Sequence, residues 1–345
     1  MMTGRFRSKK ERAVNKNAAL FDVEEEHSLE NGKTERAPGN RTLELSEEDR
    51  LRLRPLLIKK APKGDFTTPP VGTIQGDCTF FANLLPSDFV DLLILDPPYN
   101  LDKTFVDVKF SKRSVDDYTQ WLDKVVSSIK PLLKATASVY ICGDWLSSAS
   151  IFEVASSHFI IHNRVTWERE KGRGAASNWK NSSEDIWFCT MSKSFTFNVN
   201  AVKLRRKVMA PYRNEDGTSK DWKSSDGGNF RDTHPSNLWT DITIPFWSMP
   251  ENTDHPTQKS EKLIAKLVLA SSNQGDFVLD PFLGSGTVSV VAKKLGRRYL
   301  GIEINEEYCL LALRRLELAE RYKDIQGFTD GVFWERNTLA LQQKT

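Results

Sequence analysis

Phe89-Val90-Asp91-Leu92-Leu93-Ile94-Leu95-Asp96-Pro97-Pro98-Tyr99 is an apolar run that stops at a carboxylate, two prolines and a phenol. A short, branched-rich run bounded by prolines suits a strand of a parallel sheet that is covered on both faces. Pro97 and Pro98 fix φ at successive positions and supply no N–H, so the carbonyls there are held rigidly and lack one route to satisfaction. Asp96, the Pro97 carbonyl and the Tyr99 ring thus stand together beyond the carboxyl end of a strand, where ligands bind in open α/β sheets. Taken alone, the tetrapeptide also fits a proline-terminated strand in an unrelated enzyme.

The flanking sequence alternates strands with helices. Upstream, Val71 to Gln75 reads as a strand ending at Gly76-Asp77, followed by a helix over Cys78 to Leu85. Downstream, Trp121, Leu122, Val125, Val126, Ile129 and Leu132 recur with helical period and predict a helix over Tyr118 to Leu133. Ala137 to Cys142 is the next strand, tipped by Gly143-Asp144; a helix over Ser147 to Ser156 and a strand over Ile160 to Trp167 follow. Glu184 to Thr190 with Phe195 to Asn198 reads as a closing antiparallel hairpin. After His255-Pro256-Thr257-Gln258-Lys259 come a helix over Glu261 to Ser271 and a strand over Phe277 to Asp280. A glycine turn then leads into a helix over Val288 to Leu295, a strand over Arg298 to Ile302 that ends in Glu303, and a last helix over Glu306 to Arg321.

Composition sets bounds on function. At 345 residues the chain can hold one large α/β domain with insertions, or two domains. No apolar run approaches the roughly 18 residues that a membrane span needs, and no apolar stretch behind Met1 to Arg7 suggests a secretory signal. Cys78, Cys142, Cys189 and Cys309 lie far apart without metal-ligand spacing, which fits reduced thiols in a cytoplasm and no metal. A net charge of +3 says little about nucleic acid. Its distribution says more, because basic residues cluster at 5–12, 50–60, 103–113, 164–180 and 203–213. Residues 1 to about 66 are polar and mixed in charge and read as a largely disordered arm, with a short helix over Ser46 to Leu57.

The second strong signal is Asp280-Pro281-Phe282-Leu283-Gly284-Ser285-Gly286-Thr287. Gly284 and Gly286 let a ligand approach the backbone at a helix start. No Gly-Lys-Ser/Thr follows, so the turn is not a P-loop, and Ser289 stands where the dinucleotide fingerprint has its third glycine. Glu303 ends the next strand at the spacing from which a carboxylate reaches ribose hydroxyls. These features describe a site for an adenosine without a pyrophosphate, such as S-adenosylmethionine, with Asp280 near its methionine ammonium.

Together the Asp96–Tyr99 tetrapeptide and the Phe282–Thr287 turn resemble the catalytic and cofactor motifs of the DNA amino-methyltransferases. The catalytic motif precedes the cofactor motif here, and His255 to Lys259 lies just before the latter; that order is similar to the permuted β class of the family. The likeness spans about residues 70–320. Ser260 departs from it, since the family usually has proline after the lysine. The resemblance implies a Rossmann-like class I methyltransferase fold: a circularly permuted, seven-stranded, mostly parallel sheet with an antiparallel hairpin strand and a DNA-recognition insertion. It divides the chain into a disordered arm (1–66), a catalytic half (67–198), a target-recognition region (199–253), a cofactor half (254–325) and a C-terminal tail (326–345). By resemblance, Asp96, Pro97, Pro98 and Tyr99 are catalytic. Asp77 holds the cofactor's adenine amino group, Glu303 the ribose, and Thr257 and Lys259 the methionine end, with Asp280, Phe282, Gly284, Gly286 and Thr287 completing the cofactor site. The strands ending at Asp280 and Asp96 are then neighbours at the point where strand order reverses.

Two long polar segments remain. The stretch from Glu168 to Asn181 is glycine-rich and basic and carries Arg173. Residues 199 to about 253 interleave Lys203, Arg205, Arg206 and Arg213 with Tyr212, Trp222, Trp239 and Trp247, as phosphate contact and base-edge reading require; the alternative is an insertion whose tryptophans build a small satellite core. Asp rather than Ser before Pro-Pro-Tyr resembles the adenine-modifying members. The expected activity is therefore site-specific methyl transfer from S-adenosylmethionine to adenine N6 in duplex DNA, with base flipping, in a cytoplasmic enzyme of a restriction-modification system. Cytosine-N4 methylation, RNA amino-methylation and non-catalytic DNA binding are the rival readings. The family resemblance is compatible with a homodimer and with a cognate restriction endonuclease.

Overall fold

The computed structural model describes residues 36–61, 64–100, 103–105, 108–110, 113–169, 178–209, 212–225 and 228–336. Every element below lies in the compact unit Gly39–Thr345. In chain order, α1 (Glu47–Leu53) precedes β1 (Gly72–Gln75), α2 (Cys78–Ala82) and β2 (Val90–Leu95). A small hairpin, β3 (Lys103–Phe105) and β4 (Val108–Phe110), leads to α3 (Val115–Ile129), β5 (Leu133–Gly143), α4 (Ser148–His158), β6 (Ile160–Glu168) and β7 (Ser183–Thr190). The insertion holds β8 (Leu204–Lys207), β9 (Lys223–Ser225), β10 (Gly228–Thr233) and β11 (Leu238–Trp239). The last part runs through α5 (Glu261–Ser271), β12 (Phe277–Asp280), α6 (Thr287–Lys294), β13 (Arg298–Glu303), α7 (Glu306–Arg321), β14 (Phe328–Thr329) and β15 (Val332–Trp334).

Side chains of β2 alternate between two apolar layers, as a strand's period of two demands. Leu93 and Leu95 pack with α3 residues Leu122, Val125 and Val126 on one face. Leu92 and Ile94 meet α5 and α6 on the other. Burying each such side chain stabilises the fold by about 1.5–3 kcal/mol relative to leaving it in water, which is why this strand stands at the centre. Asp91 faces outward at its start, paired with Lys134 at 2.7 Å and accepting the Phe277 N–H at 2.8 Å.

The main sheet has eight strands in the order β1-β13-β12-β2-β5-β7-β6-β11. Only β7 runs against the others. Its eighth member is the two-residue edge strand β11, added to the seven expected. β12 pairs with β2 and β13 with β1, so strands from the end of the chain sit between two from its beginning. The permuted order read from the motifs is thus the order of the sheet.

Three expectations are corrected. Phe195–Asn198 is not a strand: the antiparallel partners of β7 are β5 and β6, and Asn198 instead donates its side-chain amide to the Leu269 and Ser272 carbonyls at the end of α5. Phe195 and Phe197 alternate like strand residues because both lean on Phe188. The arm over residues 1–66 is folded where it is described beyond Gly39. Ser46 caps α1 with a capping box, Leu45, Leu53 and Leu57 bury against α7 residues such as Tyr308 and Leu311, and Arg50, Arg54 and Lys59 pair with Glu307 and Glu306 at 2.7–3.0 Å. Ile58 then bridges to β1. Finally, the expected C-terminal tail contributes β14 and β15 to a second sheet, ordered β14-β15-β8-β10-β9, whose core includes Phe230, Val332 and Trp334.

A buried charge cluster joins this second sheet to α5. Lys262 and Lys266 both reach Asp241 at 2.9 Å, and Lys262 also donates to the Asp241 and Trp334 carbonyls. Lys266 lies over the Trp239 ring, 4.8 Å from its centre. Burial pushes the Lys266 ammonium down to about 8, with Asp241 opposing the shift.

Candidate active site

β2 and β12 both end at the carboxyl edge of the sheet, so Asp96 and Asp280 open into one cavity of about 670 Å³. Asp77, Asp96, Pro97, Pro98, Tyr99, Thr257, Lys259, Asp280, Phe282, Gly284, Thr287 and Glu303 all line it. Among the residues singled out in the sequence for catalysis or cofactor contact, Gly286 alone is set back. It caps α6 in the left-handed region at φ 86°, where an added Cβ would strike Ala312 of α7 at 2.5 Å.

The glycine turn is held by its neighbours. Glu303 accepts the Gly284 N–H at 2.9 Å and the Asn305 N–H at 2.8 Å, which ties the turn to the end of β13. Gly284 has φ 51°, and a Cβ there would lie 2.9 Å from His255 Nε2. Thr287 is committed to packing: its hydroxyl donates to the Lys259 carbonyl at 3.2 Å and accepts from Arg315 at 2.9 Å. Asp77 caps α2 by accepting the Phe80 N–H at 2.9 Å while facing the cavity, and β1 beside β13 sets it next to Glu303.

At the Asp96 end the structure departs from the expected division of labour. Lys259 is 7% exposed and its ammonium reaches Asp96 Oδ2 at 2.7 Å and Oδ1 at 3.0 Å, so its side chain joins the tetrapeptide while its carbonyl takes the Thr287 hydroxyl of the glycine turn. Lys259 also donates to the Tyr99 hydroxyl at 3.1 Å and lies 3.2 Å from Glu184. Glu184, 4% exposed, pairs with Arg169 as well. Burial opposes the Lys259 charge, but Asp96 and Glu184 more than offset it and hold the ammonium above its ordinary range. Burial pushes the Tyr99 phenol well up, helped by Asp96 and Glu184, so the hydroxyl keeps its proton. The Pro98 carbonyl is taken by the Tyr118 hydroxyl at 3.2 Å.

Sequence reasoning missed Glu184 as part of this site. β7 is antiparallel, so its first residues lie at the same edge as the last residues of the parallel strands; only knowledge of the strand's direction reveals that. It also missed Arg113 and Trp121, which line the cavity with the guanidinium 5.5 Å from the ring centre. Trp121 was accounted for as a packing residue of its helix, and it does touch Phe282, with ring centres 6.0 Å apart.

The electrostatics of the cavity favour a cationic ligand. Burial drives the Asp280 carboxyl well above its usual range, assisted by Asp96 and Glu303, and burial likewise raises Glu303. Among the described residues, five acids, Asp77, Asp96, Asp280, Glu303 and Glu184, face or back the cavity against Lys259, Arg113 and Arg169. A group carrying a sulfonium and an ammonium, with an adenosine long enough to span from Asp280 to Asp77, matches this surplus of carboxylates and the open glycine turn.

The basic residues expected on DNA lie outside the cavity. Arg205 forms a two-bond pair with Asp232 at 2.7 and 2.8 Å. Arg206 is 3.9 Å from Glu335, and Arg213 donates to the Gly217 carbonyl while lying over Trp222, which is buried. Lys203 precedes β8, and Arg173 lies outside the described residues. Of the insertion's tryptophans, Trp222 is buried, Trp239 joins the core that holds Leu92 and Ile94, and Trp247 is exposed. Among the described residues, no helix is long and apolar enough to cross a membrane.

A family model described as DNA methylase, of the N6/N4 type, matches residues 90–314. The DNA adenine methyltransferase YhdJ of Escherichia coli (strain K12) is 34% identical over 255 residues, covering 72% of this chain and 83% of that protein. The type II methyltransferase M.HpaI of Haemophilus parainfluenzae is 32% identical over 240 residues, covering 68% of this chain and 70% of its own. The solved PvuII DNA methyltransferase, described as cytosine-N4-specific, shares the fold with a TM-score of 0.54 at 15% identity, over 74% of this chain and 92% of that one.

Proposed function

Because the chain belongs to the N6/N4 DNA methylase family, we propose that it is a site-specific DNA methyltransferase that moves a methyl group from S-adenosylmethionine to adenine N6 in duplex DNA. The observation that carries this reading is the adjacency of β2 and β12, which opens Asp96-Pro97-Pro98-Tyr99 and the Gly284 turn into one cavity. The adenine methyltransferase among its relatives supports N6 as the acceptor. The type II relatives support a cognate restriction endonuclease and a cytoplasmic setting.

The exocyclic amine of adenine is a poor nucleophile because its lone pair is delocalised into the ring. Asp96 can accept one N–H of that amine and the Pro97 carbonyl the other, which localises the lone pair and aims it. Tyr99, with Trp121 and Arg113 across the cavity, offers faces on which a flipped base can stack. Extruding the base costs a few kcal/mol. S-adenosylmethionine, when bound, supplies a methyl group activated by its sulfonium. Asp280, the Gly284 turn, Glu303, Asp77 and Thr257 are the residues that would hold it.

Incubating the purified protein with genomic DNA and labelled cofactor, then digesting to nucleosides for mass spectrometry, tests the reading: N6-methyladenine is expected. N4-methylcytosine as sole product would replace adenine with cytosine, and binding of cofactor without transfer would make the protein a non-catalytic binder.

Two further outcomes concern the cofactor. Glu303→Ala removes the acceptor of two backbone N–H groups and should weaken cofactor binding by about 10- to 100-fold, the cost of losing charged hydrogen bonds, as calorimetry would show. Affinity should also rise with pH. Asp280 and Glu303 are held above the ordinary carboxylate range in the free protein, an ammonium beside Asp280 and ribose hydroxyls donating to Glu303 favour their ionised forms, and binding should therefore release protons. Titrations in buffers of different ionisation enthalpy measure that release; proton uptake would contradict the assignment.

A further inference from the structure

We infer that Glu184, which does not line the cavity, is a positioning residue that keeps Asp96 free to accept the target amine. This rests on the methyltransferase reading. The Tyr99 hydroxyl has one proton and two carboxylates to give it to, since Asp96 Oδ1 and Glu184 Oε2 both lie at 3.1 Å. It already accepts from Lys259 at 3.1 Å, so that proton is the only one it can direct. A hydroxyl turned to Asp96 fills the lobe of Oδ1 that Lys259 leaves free, confining the amine to Oδ2. A hydroxyl turned to Glu184 leaves it open.

Glu184 offers that proton a charged acceptor at the same 3.1 Å as Asp96, held in place by two cations. Burial alone would push its carboxyl up, but Lys259 and Arg169 more than offset this and hold it below the usual carboxylate range. It is therefore a full negative charge, fixed by two cations, on the far side of Tyr99 from the cavity. Glu184 also draws on the Lys259 ammonium from 3.2 Å, so that ammonium is shared between two carboxylates and does not belong to Asp96 alone. The Lys259 contact persists when the hydroxyl is removed, so only the part that acts through Tyr99 is expected to vanish with it. In low-dielectric networks of this kind, only a double-mutant cycle separates such coupling from simple packing.

The experiment compares wild type, Glu184→Gln, Tyr99→Phe and the double variant in single-turnover methyl transfer to a duplex oligonucleotide, with cofactor affinity measured alongside. Glu184→Gln should slow transfer by about 10- to 100-fold, the scale on which losing a group that orients a reacting side chain is felt, while cofactor affinity stays within about threefold. In the Tyr99→Phe background, where there is no hydroxyl proton to direct, the same change should cost less than half as much on a logarithmic scale. Glu184→Asp, which keeps the charge, should recover part of the rate, and it carries the same cycle should the glutamine variant fail to fold. An unchanged rate in Glu184→Gln, or an equal loss in both backgrounds, overturns the inference while leaving an active wild type, and hence the methyltransferase reading, standing. A wild type that transfers no methyl to DNA overturns both.

Discussion

Alanine at position 96 is expected to lower the single-turnover rate of methyl transfer by about 10³-fold, near the upper end of what one preorganised polar contact is worth, while cofactor affinity changes by less than about threefold. The effect should be confined to chemistry because Asp96 stands at the end of β2, whereas the turn that receives the cofactor is held by Glu303 and packs on α7. The fold should survive, since Lys259 retains Glu184 and the Tyr99 hydroxyl as partners. Single-turnover kinetics with cofactor binding in parallel separate the two quantities. A large loss of cofactor affinity would move Asp96 from the acceptor side of the reaction to the donor side.

The largest effect on stability should come from Asp241→Ala. Lys262 and Lys266 are both buried on α5 and share this single carboxylate. Removing it leaves two uncompensated ammonium groups in an apolar setting, where loss of one partner of a buried pair costs about 3–5 kcal/mol. For a domain of this size that corresponds to a fall in melting temperature of roughly 10 °C. Lys266→Met should be much milder, because the thioether chain can occupy the same space beside Trp239 and Phe333 and Lys262 still serves Asp241. Thermal unfolding of the two variants side by side decides the matter; an Asp241→Ala protein melting within about 2 °C of wild type would mean the cluster is hydrated.

What the sequence disclosed and what it hid follow physical lines. β2 was legible because a strand buried on both faces must be continuously apolar, and its proline stop is local. The adjacency of Asp280 and Asp96 followed from motif order together with the geometry of an open parallel sheet. Glu184 was hidden because its importance depends on the direction of β7, which no local pattern encodes. Lys259 was assigned to the cofactor's methionine end by resemblance, and no local pattern shows that its long side chain reaches Asp96, whose acidic surroundings draw the ammonium. The N-terminal segment looked disordered because its apolar residues are sparse. Its partners are the acidic and apolar residues of α7, with Glu307 lying 257 positions beyond Arg50. β14 and β15 are too short to show a period, and they become strands only because β8 offers an edge.

The interleaved order of the main sheet also has a consequence in time. β2 leaves the ribosome early and can pair at once with β5 on one side, but the strand that covers its other side, β12, is made much later. At about 5–20 residues per second, that edge waits on the order of 10–40 s. β1 waits longer still, with only the Ile58 bridge for company until β13 arrives between it and β12. A nascent chain of this protein thus carries an open, strongly apolar strand edge for most of its synthesis, the kind of template that invites pairing with a neighbouring chain. The sheet closes only when the last third of the polypeptide, with β12 and β13, has been made.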